Sequence, residues 1–308
     1  MTDHTNTSAA WVAVDWGTSH LRLWPMGENG RPLRRIDSDK GMASLAREDY
    51  EKTLLALLEP YIESGRTLNV LCCGMVGSRQ GWCEAPYLQA PCAPPGFDTA
   101  TRVETSDPRI EVHVLSGVKQ LHPADVMRGE ETQIAGVLAL SPDLSGVICL
   151  PGTHTKWVLV EDGEIRQFST FLTGELFQLL GTSSVLRHTL ARDSWNSAAF
   201  EAGCRAGSQS PQLLGNLLFG LRAEALLTDL DPVEARSRAS GLLLGLEISG
   251  MRPLWQGKTT ILVGESDIAQ AYATALAIEN AEARVLDAEQ VTLAGLGAAR
   301  ANDMRNRP

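Results

Sequence analysis

The sequence lacks the features of a membrane-spanning or secreted protein. None of its apolar runs approaches the roughly 20 residues that cross a bilayer as a helix. Residues 1–8 carry neither the basic region nor the apolar core of a signal peptide. We therefore expect a cytoplasmic protein with no membrane partner.

Patterns that indicate a zinc site or disulfide bonds are also missing. The six cysteines include no C-x-x-C pair, and no two histidines have the spacing i, i+4. Free thiols are the usual state of cysteines in a cytoplasmic chain of this size. The sequence therefore favours neither a zinc site nor disulfide bonds.

The sequence has fewer basic than acidic residues. The chain has 27 Lys and Arg against 37 Asp and Glu, which gives a formal net charge of −10. This balance repels nucleic acids and argues against them as partners. An anionic small-molecule ligand must then be bound by local cations. With 308 residues, of which 44% are hydrophobic, the chain is long enough for two domains.

Residues 12–24 predict two strands joined by the turn DWGTS. Gly17 allows the backbone to approach an anion, and the hydroxyls of Thr18 and Ser19 lie in the same turn. Asp15 offers carboxylate oxygens, which suit Mg²⁺ rather than phosphate. The segment indicates a hairpin that binds nucleotide phosphates, and a β-hairpin with a turn aspartate is the alternative.

A second segment, residues 146–165, repeats this pattern of strand, Gly-Thr turn, strand, Asp-Gly turn and third strand. The first copy also continues toward a third strand, over residues 31–36. The repetition predicts a duplicated fold with two phosphate-binding turns.

Four residues of the second turn are candidates for the β- and γ-phosphates. Backbone amides near Gly152 and the hydroxyls of Thr153 and Thr155 are suited to bind them, and Lys156 is available to neutralise charge. Side chains alternate along a strand, so Thr155 and Lys156 point to opposite faces. We favour Thr153 over Lys156 as the phosphate ligand.

Five motifs follow one another along the chain. They are VDWGTS (14–19), GMVGS (74–78) with GW (81–82) and APYL (85–88), VMRGEETQ (126–133), LPGTHTKWV (150–158) and LTGEL (172–176). In these motifs the chain resembles the 2-dehydro-3-deoxygalactonokinase family of the actin-like ATPase and sugar kinase superfamily, over nearly its whole length.

The resemblance implies an α/β fold of two RNase H-like domains with an interdomain nucleotide and substrate cleft. Residues 1–143 are expected to bind mainly the sugar acid, and residues 144–308 mainly ATP. The implied reaction is the ATP- and Mg²⁺-dependent phosphorylation of 2-dehydro-3-deoxy-D-galactonate at O6, in galactonate catabolism. A kinase of the same fold with another sugar or sugar acid, and a nucleotide-dependent sensor or ATPase, are the alternatives.

Two properties stay open at this point. The preference for the galacto or the gluco epimer depends on the direction of one hydroxyl, which no spacing in a sequence reveals. A homodimer is expected only because dimers are the commonest oligomers.

The loop after the apolar run 68–73 is the predicted acceptor site, because ligands favour the C-terminal ends of parallel strands. Its hydroxyl, guanidinium and aromatic groups suit a polyhydroxy acid. Arg79 is the first candidate for the substrate carboxylate, since its fork binds carboxylates through two hydrogen bonds. A solvated surface arginine is the alternative. The candidate residues of this loop are Gly74, Met75, Ser78, Arg79 and Trp82.

Glu130 and Glu131 open an apolar-periodic helix, where capping explains acidic residues without any function. The related sugar kinases have Gly-Asp-Gln at this place, and its aspartate supplies the catalytic base. Matching the glycine to Gly129 puts Glu130 at the aspartate's position, so we favour Glu130 over Glu131 as the base. Arg128 binds the substrate carboxylate or phosphate, or only orients one of the glutamates.

Three further candidates lie in the C-terminal half. Glu175 begins a helix and either binds a substrate hydroxyl or serves as a helix-terminal charge. Residues 261–272 correspond to the superfamily's adenosine pocket, so Gly264 and Ser266 are expected to contact ATP. Glu265 replaces the middle glycine of the usual Gly-Gly-Ser, and its role is open. The apolar helices between residues 176 and 250 are interpreted as scaffold.

Overall fold

We describe the protein from a computed structural model that covers residues 8–191 and 193–306, with backbone only for residues 266 and 302–306. The strands are β1 (Trp11–Trp16), β2 (Leu21–Met26), β3 (Ile36–Ser38), β4 (Leu68–Cys73), β5 (Tyr87–Gln89), β6 (Thr101–Val103), β7 (Ile110–Val114), β8 (Gly117–Leu121), β9 (Ala124–Met127), β10 (Gly146–Leu150), β11 (Thr155–Glu161), β12 (Glu164–Phe171), β13 (Thr259–Gly264) and β14 (Ala283–Asp287). The α-helices are α1 (Tyr50–Leu58), α2 (Glu130–Leu140), α3 (Thr173–Thr182), α4 (Ser197–Gln209), α5 (Leu214–Leu227), α6 (Pro232–Gly250), α7 (Arg252–Trp255), α8 (Ser266–Ile278) and α9 (Ala288–Asn306).

The chain divides into two compact units. Unit 1 contains Met1–Asp143, Gly163–Arg166 and Ala288–Pro308, and unit 2 contains Leu144–Asp162 and Gln167–Asp287. In the described part of the chain, no helix is long and apolar enough to cross a membrane.

The main sheets of the two units correspond over five strands, and unit 1 adds β6 as a sixth, antiparallel strand at the edge. The strand order is β3-β2-β1-β4-β7-β6 in unit 1 and β12-β11-β10-β13-β14 in unit 2. In each sheet an antiparallel hairpin, β1 with β2 or β10 with β11, is followed by a parallel pair, β1 with β4 or β10 with β13. The duplicated topology is the one that the repeated hairpin predicts. The shorter strands β5, β8 and β9 form a separate sheet.

The third strand of unit 1 begins later than predicted, at Ile36. Pro32 forms only an isolated bridge with Met26. Proline has no backbone N–H to donate, so it cannot extend a ladder of hydrogen bonds.

The sheet of unit 1 is buried on both faces. Side chains of β1 alternate between the faces, as the period of a strand requires. One face packs against α1, with Val12, Val14, Trp16, Tyr50, Leu54 and Leu58 in its core. The other face packs against α9, with Trp11, Ala13, Leu71, Cys73, Leu296 and Ala299 in its core.

The C-terminal helix α9 lies in unit 1, although the sequence places residues 288–308 in the C-terminal domain. A Cβ atom on Gly136 of α2 would lie 1.9 Å from the Val291 carbonyl oxygen, and one on Gly295 would lie 1.9 Å from that of Thr132. The backbones of α2 and α9 therefore touch at two glycines. The Trp24 indole also donates to Glu289 over 2.9 Å, which ties the start of α9 to β2.

The contact between α2 and α9 predicts a large effect of a small substitution. Gly295→Ala should lower the free energy of unfolding by about 1–3 kcal/mol, because the added methyl group must push two backbones apart. Gly297→Ala on the same helix is the matched control, since no described atom outside the helix's own backbone lies within 4 Å of its Cβ position. Urea unfolding curves measure both variants. Equal stabilities would contradict the close contact.

Candidate active site

Three chain segments of unit 1 meet beside Asp15, at the end of β1. Gly74 follows β4 with a φ of 93°, and its Cβ position lies 2.8 Å from the Trp16 carbonyl oxygen and 3.3 Å from Asp15 Oδ1. Gly129 precedes α2 with a φ of 110°, and its Cβ position lies 3.3 Å from Gly74 Cα. Only glycine adopts these conformations without strain and leaves room for the neighbouring backbone. We call Asp15, Gly74, Gly129 and Glu130 the Asp15 cluster.

Asp15 is a half-buried carboxylate. The register of β1 and β2 places Arg22 opposite, and its Nη1 lies 3.6 Å from Asp15 Oδ2. Burial raises the pKa of Asp15, the Arg22 charge opposes this shift, and the nearby Glu130 charge adds to it. The electrostatic effect of Glu130 on Asp15 is expected, because the end of β1 lies beside the start of α2.

The turn after Asp15 exposes the predicted hydroxyls. Thr18 and Ser19 are exposed, and the Gly17 amide donates to the His20 carbonyl over 2.9 Å. A residue that the sequence analysis missed supports this turn. A Cβ atom on Gly41 would lie 2.2 Å from the Ser19 carbonyl carbon, so only glycine fits beneath it. No periodic pattern marks Gly41, because the contact joins distant segments.

The two candidate bases occupy different environments at the start of α2. Glu131 is completely buried, and both of its carboxylate oxygens accept from the Gly129 amide, over 2.7 and 2.8 Å. Glu130 is half-buried, and its Oε2 accepts from the Arg128 amide over 3.0 Å. Both glutamates thus accept a backbone amide at the start of α2, and they differ in burial, which leaves Glu130 the more accessible of the two.

Glu131 gives a pH-dependent prediction. Burial, reinforced by the Glu130 charge, raises its pKa to about 8. The folded protein therefore retains a proton that the unfolded chain releases, so the free energy of unfolding should fall as the pH rises from about 5 to 8. Glu131→Gln should flatten this decline, because its amide cannot ionise but its oxygen still accepts from Gly129.

Urea unfolding at pH 5, 6.5 and 8 measures this slope. The exposed Glu104 provides the control, because Glu104→Gln makes the same chemical change without burial. A Glu131→Gln variant with the wild-type slope would show that Glu131 is ionised throughout this range.

Arg128 is buried and only partly hydrogen bonded. Its Nε donates to the Tyr87 hydroxyl over 3.3 Å and its Nη2 to the Ala85 carbonyl over 2.8 Å, while its guanidinium carbon lies 4.2 Å from the Tyr87 ring centre. Within the described part of the chain, its Nη1 is buried without a hydrogen-bond partner, and so is Ser78 Oγ. The Cβ position of Gly77, next to Ser78, is 2.9 Å from this Nη1.

The other acceptor-loop candidates have different surroundings. Arg79 is exposed, and its carbonyl accepts from Arg47 Nη2 over 3.1 Å. Met75 is half-buried at the start of a 3-10 turn. Trp82 is 8% exposed and packs with Trp16 and Tyr50 at ring-centre distances of 6.1 and 5.8 Å, which makes it largely a core residue.

In unit 2, the turn between β10 and β11 comprises residues 151–154, and we call it the Gly152 turn. Among the described residues outside its own chain neighbours, none would lie within 4 Å of a Cβ atom on Gly152, so its backbone is open on that side. Thr153 and His154 are exposed, whereas Thr155 and Lys156 are buried in β11. Thr153 is therefore the more accessible of the two candidates, and its contact with phosphate stays a prediction.

The start of α3 packs against the Gly152 turn. A Cβ atom on Gly174 would lie 2.4 Å from the Gly152 carbonyl oxygen, and the Glu175 amide donates to the Thr153 carbonyl over 3.0 Å. Glu175 Oε2 lies 2.6 Å from His154 Nε2. Glu175 therefore contacts the Gly152 turn of unit 2. The other predicted substrate residues lie in unit 1.

A cavity of about 780 Å³ lies within unit 2, and its size suits a nucleotide. It reaches the Gly152 turn and the start of α8. Gly264 is buried behind this region, with its Cβ position 3.9 Å from Pro151 Cδ, and Ser266 begins α8 but its side chain lies outside the described part. The lining residues include Gly152, Thr173, Gly174, Phe177, Trp195, Phe200, Arg236, Ser240, Leu243, Leu244, Ile268 and Tyr272.

The central helices, which the sequence analysis interprets as scaffold, also contribute residues to the wall of the cavity. Ser240 and Leu243 of α6 line it, as does Phe177 of α3. Arg236 places its guanidinium carbon 4.8 Å from the Phe177 ring centre. The only signal in the sequence is the pair Arg236 and Ser240, one helical turn apart on a largely apolar helix.

The model of the 2-keto-3-deoxy-galactonokinase family matches residues 15–299. The chain belongs to this family. The kinase is 38% identical over 301 residues to a Rhizobium meliloti (strain 1021) protein named probable 2-dehydro-3-deoxygalactonokinase, covering 95% of this chain and 97% of the relative. It is 33% identical over 264 residues to the Escherichia coli (strain K12) 2-dehydro-3-deoxygalactonokinase, covering 84% of this chain and 87% of the relative.

Solved structures agree with this assignment. A Sinorhizobium meliloti protein assigned as a 2-dehydro-3-deoxygalactonokinase superposes on the kinase with a TM-score of 0.88 at 38% identity, over 97% of this chain and 98% of that one. The ADPNP-bound activator of a Clostridium difficile 2-hydroxyisocaproyl-CoA dehydratase gives a TM-score of 0.51 at 10% identity, over 97% and 98%. That second likeness shows the fold alone. The predicted family, kinase class and actin-like fold are confirmed, and the roles of individual residues stay predictions.

Proposed function

We propose that the protein transfers the γ-phosphoryl group of ATP to O6 of 2-dehydro-3-deoxy-D-galactonate, as a step of galactonate catabolism. Membership of the family, with curated relatives at 38% and 33% identity, is the observation that carries the proposal. The geometry of unit 1 supports a carboxylated acceptor, and that of unit 2 supports a nucleotide.

In unit 2, the cavity of about 780 Å³ is proposed to bind ATP. Its walls combine aliphatic and aromatic side chains with a few polar groups, as is typical of nucleotide sites. The open backbone of Gly152 and the exposed Thr153 hydroxyl would then contact the phosphates.

The carboxylate of Asp15 fits a magnesium ion bound together with nucleotide phosphates. Among the described residues, no group of three or more His, Cys, Asp or Glu side chains is arranged to hold a metal by itself. Mg²⁺ commonly takes one or two protein carboxylates and completes its shell with waters and phosphate oxygens. Asp15 would supply such a carboxylate, and the bound ion would neutralise charge on the transferring phosphoryl group.

The acceptor is proposed to bind through its carboxylate at Arg128 and Ser78. A buried guanidinium nitrogen and a buried hydroxyl without partners each cost free energy, and an anionic ligand that hydrogen bonds to both removes that cost. Arg128 therefore replaces Arg79 as our first candidate for the carboxylate.

Glu130 is proposed as the general base. It accepts the proton of the O6 hydroxyl while this oxygen forms its bond to the γ-phosphorus, and the bond from that phosphorus to the β,γ-bridging oxygen breaks, so that ADP leaves. The half-buried position of Glu130 allows this contact, whereas that of Glu131 does not.

An ADP-release assay with MgATP tests the proposal. The acceptor panel contains 2-dehydro-3-deoxygalactonate, 2-dehydro-3-deoxygluconate, galactonate and simple hexoses. Turnover confined to the first compound is expected. Turnover on a hexose would indicate a kinase for another sugar, and ATP hydrolysis without an acceptor would indicate a sensor or ATPase.

We also propose a cytoplasmic location, which the six free cysteines support. The net charge of −10 argues against nucleic acid as a partner. A homodimer stays a prediction, which light scattering of the purified protein tests.

A further inference from the structure

Glu247 of α6 is a buried carboxylate that none of the steps above uses. Its side chain is completely buried. The Trp157 indole donates to its Oε1 over 2.7 Å, and the Tyr272 hydroxyl donates to its Oε2 over 3.0 Å. A side-chain hydrogen bond with Thr173 lowers the pKa of Glu247. One carboxylate thus joins β11, α8 and the first residue of α3.

These hydrogen bonds continue to the Gly152 turn. The Tyr272 hydroxyl oxygen lies 2.6 Å from Thr155 Oγ1, and Thr155 is the first residue of β11, directly after the turn. Because Tyr272 donates its proton to Glu247, Thr155 must donate its own proton to Tyr272. Because the Glu247 carboxylate only accepts, it determines the direction of the Tyr272–Glu247 and the Thr155–Tyr272 hydrogen bonds.

The same groups border the cavity of unit 2. Tyr272 and Thr173 both line it. Thr173 also begins α3, whose Glu175 amide holds the Thr153 carbonyl of the Gly152 turn. Burial raises the pKa of Glu247, and the hydrogen bonds from Thr173, Trp157 and Tyr272 oppose this shift. The three donors together stabilise a carboxylate at a place where an apolar side chain would pack more easily.

We propose that Glu247 is a positioning residue for nucleotide binding. It holds the start of β11 and the start of α3 together, and so keeps the Gly152 turn in its ATP-binding conformation. The inference rests on the proposed function, in which ATP binds at this turn.

The first test is Glu247→Gln, which keeps the volume of the side chain. Its amide nitrogen is a donor, so the variant cannot accept hydrogen bonds from Trp157, Tyr272 and Thr173 at once. We expect the affinity for Mg-AMP-PNP, measured by calorimetry, to fall about ten- to a hundredfold, as for a lost hydrogen bond to a charged group. The KM for ATP should rise with it, and the KM for the sugar acid should stay unchanged.

A pair of tryptophan variants separates positioning from general stability. Trp157 and Trp255 are both buried in the same core, and the Trp255 indole donates to the Ile248 carbonyl over 2.9 Å, outside this network. Trp157→Phe should weaken Mg-AMP-PNP binding, and Trp255→Phe should not, at comparable losses of Tm.

The outcomes are distinguishable. If the wild type binds no Mg-AMP-PNP, the proposed function itself fails. If the wild type binds it and both Glu247→Gln and Trp157→Phe bind within twofold of the wild type, the positioning role is wrong. Equal losses of affinity in the two tryptophan variants also overturn it, because they would trace the effect to core stability alone.

Discussion

Glu130→Gln is expected to lower kcat for phosphorylation of the sugar acid by about 10²- to 10⁴-fold, the usual contribution of a general base. The glutamine keeps the size of the side chain and can still accept from the Arg128 amide, so the start of α2 should stay folded. The KM for ATP should change less than kcat, because Asp15 rather than Glu130 is the proposed magnesium ligand and the proposed nucleotide cavity lies in unit 2. Steady-state kinetics with varied ATP and varied acceptor measures all three parameters.

Glu131→Gln is the matched control for this prediction. It makes the same chemical change at the adjacent residue, whose side chain is completely buried against the Gly129 amide. We expect this variant to retain most of the wild-type kcat. An inactive Glu131→Gln together with an active Glu130→Gln would assign the base to Glu131 and contradict our choice.

Arg128→Lys is expected to raise the KM for the sugar acid about ten- to a hundredfold, the effect of losing a charge-assisted hydrogen bond in a buried site. Lysine keeps the positive charge but lacks the planar fork that leaves Nη1 available while Nε and Nη2 are bound. The KM for ATP should stay unchanged. Initial rates at saturating ATP and varied sugar acid give the answer.

Arg79→Lys provides the comparison, because Arg79 lies on the same acceptor loop but is exposed. Its KM for the sugar acid should stay near that of the wild type. The reverse result, in which Arg79→Lys raises this KM and Arg128→Lys does not, would show that Arg79 binds the substrate carboxylate. Circular dichroism of both variants checks that the fold is retained.

The sequence predicts much of the fold because its signals are local. The repeated pattern of strand, Gly-Thr turn and strand at residues 12–24 and 146–165 indicates two similar units, and the structure has two sheets whose strand orders correspond over five strands. The glutamates after Gly129 predict a helix start, and α2 begins at Glu130. Such patterns depend on neighbours along the chain, so they are visible without the tertiary structure.

The packing of α9 in unit 1 is not visible in local sequence patterns. Its contact with α2 depends on Gly136 meeting the Val291 backbone and on Gly295 meeting the Thr132 backbone. A small-residue helix is visible in the sequence, but its partner is not, because the two helices are separated by the whole of unit 2. The predicted boundary therefore follows chain order, whereas the packing does not.

The candidate site also has some properties that the sequence predicts and others that depend on the tertiary structure. The sequence alone determined which chemical groups are available: the carboxylates of Asp15 and Glu130, the two hydroxyl-bearing turns and the guanidinium groups of Arg79 and Arg128. Only the tertiary structure decided that Glu131 is buried and Glu130 half-buried, that Arg128 rather than Arg79 has a buried unpaired nitrogen, and that Glu247 joins the strand and helices around the Gly152 turn. The physical reason is that residue type and short-range periodicity fix a group's chemistry, while its burial and hydrogen-bond partners depend on segments far apart in the chain.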